Sequence, residues 1–244
     1  FYTGPDVFIP GLLIFPENSS PPYSVVVYVD EKAKVSESKS RRIIEPILDH
    51  GTAVFLIDPR GMGETKCKKG DQPFIYSNMT EKPGFGMQVD DVISALFYLS
   101  NRDDIRKDKI ACMGRGTGSL LALYAGAIEQ EFAGVLTIEQ LYTYKSLVMN
   151  DIYKYGLEIV LPGVLKHYDL PNLAGTIAPR PLFIINPADH NKNVILADKM
   201  LKDYNWTSAA YSVLKCGQSF RMKTSLKEPE ICELIKEWLN LWLN

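Results

Sequence analysis

Five short apolar runs recur along this chain with helix-length spacers between them, and no other feature restricts its fold as strongly. They are YSVVVYVD (23–30), TAVFLID (52–58), KIACM (109–113), FAGVLTI (132–138) and PLFIINP (181–187). Apolar, largely β-branched runs with little polar alternation suit strands buried on both faces. VFIPGLLIFP (7–16) adds early strands broken by Pro and Gly, and AAYSVL (209–214) reads as the last strand. The spacers predict helices over 37–50, with Gly51 as C-cap, and over 88–101, 117–129 and 192–204. In the second of these, Val89, Val92, Ile93, Leu96, Phe97 and Leu99 fall on or near one face. EICELIKEWLNLWL closes the chain as an amphipathic helix with Ile231, Leu234, Ile235, Trp238 and Trp242 turned inward. Alternating strands and helices predict an α/β architecture, a doubly wound, mostly parallel sheet with helices on both faces. No repeat or linker divides it, so residues 1–244 read as a single domain. The looser, Tyr- and Leu-rich stretch 140–178 is either a cap-like insertion over the site or a set of connecting helices.

In such sheets ligands lie beyond the carboxyl ends of the strands, which directs attention to KIACMGRGTGSLLALYAG (109–126). Its GRGTG (114–118) has the glycines of a nucleophile elbow, G-x-S-x-G, between a strand and a helix. The centre is Gly116, which accepts a strained backbone but supplies no attacking oxygen. The same letters allow a second reading as a dinucleotide loop, G-x-G-x-x-G. Gly114 and Gly116 fit it, Ser119 replaces the third small residue, and Glu139 provides the downstream acid. Against it, at least two buried strands precede the motif.

Other classes are constrained by composition. Lys and Arg total 27 against 29 Asp and Glu, a net charge of −2, so there is no electrostatic case for nucleic acid. KCKKG (66–70) reads as a solvated loop. No apolar run reaches the length of a transmembrane helix, and no signal peptide is evident. The spacings of Cys67, Cys112, Cys216 and Cys232 match no zinc pattern. Cys112 and Cys232 read as core, whereas Cys67 and Cys216 fall in loops where they could react or pair. Asn18, Asn78 and Asn205 each begin an Asn-x-Ser/Thr sequon, relevant only in a eukaryotic secretory setting.

Several stretches together resemble the α/β-hydrolase superfamily, and within it the acetyl xylan esterases and related dienelactone-hydrolase-like carbohydrate esterases. They are PGLLIFPE with YSVVVYVD, IDPRGMGET (57–65), CMGRGTGSLLALYAG (112–126) and IAPRPLFIINPADH (177–190). The resemblance covers nearly the whole chain. It implies ester hydrolysis by a nucleophile, an acid and a histidine in that order. Carried across, the nucleophile position is Gly116 and the acid is Asp189. The histidine is expected in CGQSF after the last strand, where Gln218 stands. Two of three chemical groups are then absent. The resemblance therefore implies an esterase scaffold without classical Ser-His-Asp activity, acting as a binding or supporting domain. Its ligand would be a carbohydrate or another small molecule, with no cofactor. A hydrolase using an unusual group, such as His190 with water, is the alternative, and a dinucleotide-binding protein the third reading. Some proteins resembling this group are C-terminal parts of longer chains, which suits the start at Phe1, and a secreted or periplasmic setting is compatible with the resemblance.

Around these positions, Asp30 and Glu31 follow the strand whose end normally helps to hold the oxyanion; they are expected to point to solvent. Thr117 offers the other oxyanion N–H. Ser119 and Cys112 are expected to be packed rather than reactive. His50 and His167 read as surface or packing residues, and Asp90 and Asp91 as solvated. Strand ends carry Asp30, Glu31, Asp58, Glu139, Asp189 and His190, an acidic rim that could bind a hard cation, a sugar or a basic ligand. Asp58 is expected to order its own RGMG loop instead. No histidine spacing supports a transition-metal site.

Overall fold

A computed structural model describes residues 1–33, 39–68, 70, 72–80 and 82–243. The elements are β1 (Tyr2–Gly4), β2 (Val7–Phe8), β3 (Gly11–Ile14), β4 (Tyr23–Asp30), α1 (Lys39–Asp49), β5 (Ala53–Ile57), α2 (Gln72–Met79), α3 (Gly84–Ser100), β6 (Ile105–Arg115), α4 (Thr117–Ile128), β7 (Val135–Ile138), α5 (Tyr144–Val148), α6 (Leu170–Gly175), β8 (Leu182–Ile185), α7 (Ala197–Asp203), α8 (Asn205–Val213), β9 (Phe220–Lys223) and α9 (Glu228–Leu243). Residues 37 and 38 of the first predicted helix, and Lys69 of the basic KCKKG loop, lie outside the described residues.

Seven strands form one sheet in the order β3-β5-β4-β6-β7-β8-β9, with β3 antiparallel and the other six parallel. The β1–β2 ribbon stands apart. Strand alternation gives the sheet two apolar faces. Val25, Val27 and Val29 of β4 pack with α3 and α4, and Val26 and Tyr28 pack with α1 and α9. Helix α4 is apolar on nearly every side and buried from Gly118 to Gly126, as a helix trapped between sheet and outer helices must be. On α9, Ile231, Ile235, Trp238, Leu239 and Trp242 are buried.

Three expectations fail. AAYSVL is not a strand but the second half of α8. Its buried residues follow helical spacing, Thr207 to Tyr211, and the Tyr211 hydroxyl donates to the Arg180 carbonyl at 2.8 Å. The last strand is FRMK (220–223), an edge strand in which Phe220 and Met222 pack against the core and Arg221 and Lys223 alternate with them; at four residues it is too short for that alternation to stand out in the sequence. Phe97 is 46% exposed on α3, and Asp91 is fully buried. The Asp91 carboxylate accepts the Arg60 backbone N–H at 2.8 Å and the Arg60 Nε at 2.9 Å.

Candidate functional site

The parallel register aligns the strand ends. Asp30, Arg115, Ile138, Ile185 and Lys223 lie in one row across β4, β6, β7, β8 and β9. Glu31, Gly116, Glu139, Asn186 and Thr224 come next along the chain, so the loops around them form the rim where a site belongs.

Gly116 has φ 60° and ψ −126°, a left-handed conformation that favours glycine. The flanking glycines are required by close approach. A Cβ on Gly114 would meet the Gly118 carbonyl oxygen at 2.2 Å, and one on Gly118 would meet the Val29 oxygen at 2.3 Å. The corner therefore has an elbow's geometry as well as its letters. Its centre is already occupied. A Cβ on Gly116 would lie 2.3 Å from Oε2 of Glu31 and 2.4 Å from its Cδ. That Oε2 accepts a long hydrogen bond from the Thr117 N–H, at 3.4 Å, and an ion pair from Lys192 Nζ at 3.0 Å. The carboxylate thus sits at the amino end of α4, where the helix dipole and an exposed N–H favour an anion.

Neither Asp30 nor Glu31 points to solvent, contrary to expectation. Asp30 is buried; it accepts the Tyr28 hydroxyl at 2.7 Å and the Lys32 N–H at 2.9 Å. The Glu31 N–H donates to the Arg115 carbonyl at 3.2 Å. The N–H groups of Glu31, Lys32 and Thr117 are therefore all engaged by the protein itself.

Asp189, expected at the acid position, follows β8, but its carboxylate is turned onto its own loop. It accepts the N–H groups of Asn191 at 2.8 Å and Asn193 at 2.9 Å. Burial pushes the Asp189 carboxyl up, and these donors outweigh that, holding it below the usual carboxylate range. Gln218 is not the histidine position. It lies in a short 3-10 turn, Gly217–Ser219, ahead of β9 and therefore at the amino end of the strands. Residues 209–213, strand-like in composition, are helical, so the last strand and the loop after it come later in the chain. The loop that does follow β9 is Thr224–Ser225–Leu226–Lys227, which contains no imidazole. It is tied down by Asn186, whose side-chain amide donates to the Leu226 carbonyl and accepts the Leu226 N–H, both at 2.9 Å.

The remaining candidates separate. Glu139 forms a two-pronged pair with Arg115, at 2.7 and 3.1 Å. His190 contributes its carbonyl to the Lys154 N–H at 2.8 Å. Asp58 accepts the Glu64 N–H at 3.0 Å within the RGMG loop. Ser119 is fully buried; its hydroxyl lies 2.7 and 2.6 Å from the carbonyl oxygens of Gly114 and Ile138, which share its one proton, and it accepts the Ile138 N–H at 3.1 Å. The acidic rim does not converge: among the described residues, no group of three His, Cys, Asp or Glu could hold a metal ion. The dinucleotide reading loses its phosphate place to the Glu31 carboxylate and its ribose acid to Arg115. All four cysteines are thiols. Burial pushes Cys112 up to about 12, and Cys216 is buried against Tyr211.

A cleft of about 690 Å³ opens beside the elbow, lined among others by Glu31, Arg60, Met62, Phe74, Thr117 and Lys192. Arg60 and Lys192 were not visible as site residues in the sequence. Only the RGMG motif hinted at the first. Glu158, from the 140–178 stretch, forms part of the wall, so that stretch does reach the site.

Sheet order, the single antiparallel strand, and the elbow after the fourth strand in spatial order define an α/β-hydrolase fold. Solved structures that it resembles include several named as esterases or hydrolases. A protein from Bacteroides fragilis NCTC 9343, assigned as an acetyl xylan esterase, superposes with a TM-score of 0.74 at 14% identity over 92% of this chain and 64% of its own. A carbohydrate esterase family 15 glucuronoyl esterase from Caldicellulosiruptor kristjansonii gives 0.66, also at 14% identity, over 96% of this chain and 72% of its own. In sequence, the chain is 24% identical over 196 residues to YtaP of Bacillus subtilis (strain 168), a protein assigned as a hydrolase. That match takes in 78% of this chain and 66% of YtaP, so the chain spans just under two thirds of its relative's length. No family model matches. None of the described helices is long and apolar enough to cross a membrane.

Proposed function

We propose that this chain is an esterase-fold domain without Ser-His-Asp turnover, and that its elbow cleft binds a small molecule or carbohydrate instead of cleaving it. One observation carries the reading. The Glu31 carboxylate fills the space a nucleophile's side chain needs and takes the Thr117 N–H that would hold an oxyanion. A developing negative charge there would meet a carboxylate rather than a donor. The absence of an imidazole from the loop 224–227 points the same way. The carbohydrate follows from what the neighbouring esterases are named for, together with an aromatic ring, a thioether and several polar side chains lining the cleft. A hydrolase built on His190 gains no support, because His190 does not line the cleft.

The test is hydrolysis of 4-nitrophenyl acetate by the purified chain. The expected rate is that of the buffer alone. Turnover that survives repurification and disappears in Glu31→Ala or Lys192→Ala would overturn the reading. Binding is followed separately by calorimetry with acetylated xylo-oligosaccharides; heat lost in Phe74→Ala places the ligand in the cleft.

A further inference from the structure

The carboxylate in front of Gly116 is held loosely. Both of its bonds fall on Oε2, and the one from the Thr117 N–H is 3.4 Å long. Its Oε1 accepts nothing among the described residues. The side chains of Glu31 and Lys192 are 24% and 40% exposed, and both line the elbow cleft. An ion pair this open to water is weak.

What meets that carboxylate is built more firmly. Lys192 has φ 63°, a left-handed backbone that a lysine adopts only under constraint. Its loop supplies the constraint. The Asp189 carboxylate accepts the N–H groups on either side, those of Asn191 and Asn193, and the Asp189 carbonyl accepts the Lys192 N–H at 3.0 Å. The ammonium also lies 5.2 Å from the centre of the Tyr155 ring, a cation–π contact. Tyr155 is only 5% exposed and its hydroxyl makes no hydrogen bond. Among the carboxylates whose charge that hydroxyl feels, Glu31 comes first, ahead of Asp189 and Glu139. A fixed lysine, a helix N-terminus and an unbonded buried hydroxyl thus address one carboxylate, which uses little of what they offer. Lys32 and Lys66 line the same cleft without an ion-pair partner among the described residues, and they draw anions to it.

We infer that the place in front of Gly116 is a carboxylate receptor, that Glu31 occupies it as a tethered stand-in, and that the ligand of the elbow cleft brings a carboxylate of its own. That group takes the Lys192 ammonium and the Thr117 N–H while Glu31 swings out into the cleft. An untethered carboxylate can turn both oxygens onto donors, which the backbone of Glu31 does not allow it to do. A free small carboxylate and the acid group of a sugar share this chemistry. The inference rests on the reading that the cleft binds without cleaving.

The test titrates the 15N-labelled whole chain by NMR with glucuronate, with acetate and with glucose, the neutral counterpart of the first. Glucuronate should bind about tenfold tighter than glucose, the worth of a charge-assisted contact, and should move the Thr117 amide signal. Acetate equal to glucuronate assigns a free carboxylate; acetate weaker assigns a sugar acid. Glu31→Ala, which vacates the place, should tighten both acids about tenfold by removing the internal competitor and leave glucose unchanged. Glu31→Gln serves if that variant does not fold. Lys192→Gln should erase the preference for the acid, as should Lys192→Asn, whose side chain tolerates the left-handed backbone. With the cleft reading intact, the inference is overturned if glucose binds as well as glucuronate, or if Glu31→Ala leaves glucuronate binding unchanged or weaker. Binding of neither acid, to the wild type or to Glu31→Ala, overturns it as well. Turnover of 4-nitrophenyl acetate would instead remove the reading beneath it.

Discussion

At Gly116 a single missing side chain and a single intruding one act together. A non-glycine residue at φ 60° carries a penalty of about 1–2 kcal/mol, and its Cβ would collide with the Glu31 carboxylate. Gly116→Ala should therefore lower the urea-derived stability by at least that amount. Glu31→Ala in the same chain should restore part of it, with a coupling above about 0.5 kcal/mol in a double-mutant cycle. Additive effects would mean the carboxylate does not rest on the elbow. Asp189 makes a different test. Its folded pKa is depressed, so the stabilisation is complete above the unfolded value, about 3.9, and is lost as pH falls through the folded one. The difference in melting temperature between the wild type and Asp189→Asn should be constant from pH 7 to 5 and shrink below about pH 4. A difference unaffected by pH would show that the charge plays no part.

Between elements, single polar side chains do much of the fastening. Arg180, at the start of the approach to β8, donates from Nη1 to the carbonyls of Glu129 and Phe132, both at 3.0 Å, and from Nη2 to that of Gly126 at 2.7 Å. It thereby closes the carboxyl end of α4, where carbonyls have no partner within the helix. Arg180→Met should cost about 2 kcal/mol and speed amide exchange over the last turn of α4 more than at its amino end. Uniform exchange along the helix would refute this capping role. Arg60 and Asp91 join the RGMG loop to α3 in the same way. Asp91 looks solvated in the sequence because helical spacing does not reveal a partner on a distant loop. Gln218 lies at the other end of the sheet for a related reason: α8 is short and rich in residues that also suit strands, and β9 is only four residues long.

Across the whole molecule, both apolar clusters share the same strands, since alternate residues of β4, β5 and β6 face opposite sides. The sheet should therefore unfold as one unit. Tryptophan fluorescence, which includes Trp238 and Trp242 on one face, and far-UV circular dichroism should give coincident urea transitions. Leu96→Ala, on the other face, should move both midpoints together, with a loss of about 2–5 kcal/mol; separated transitions would show that the two faces unfold independently. What the residues determined alone was the parallel α/β scaffold and the shape of the elbow. Those follow from β-branched runs, helical spacing and clustered glycines, all of which act over a few neighbouring positions. Tertiary structure alone decided what fills the elbow. Glu31 and Thr117 are 86 residues apart in the chain; the parallel pairing of β4 with β6 brings the carboxylate to rest against that N–H, and the loop after β8 brings Lys192 to it.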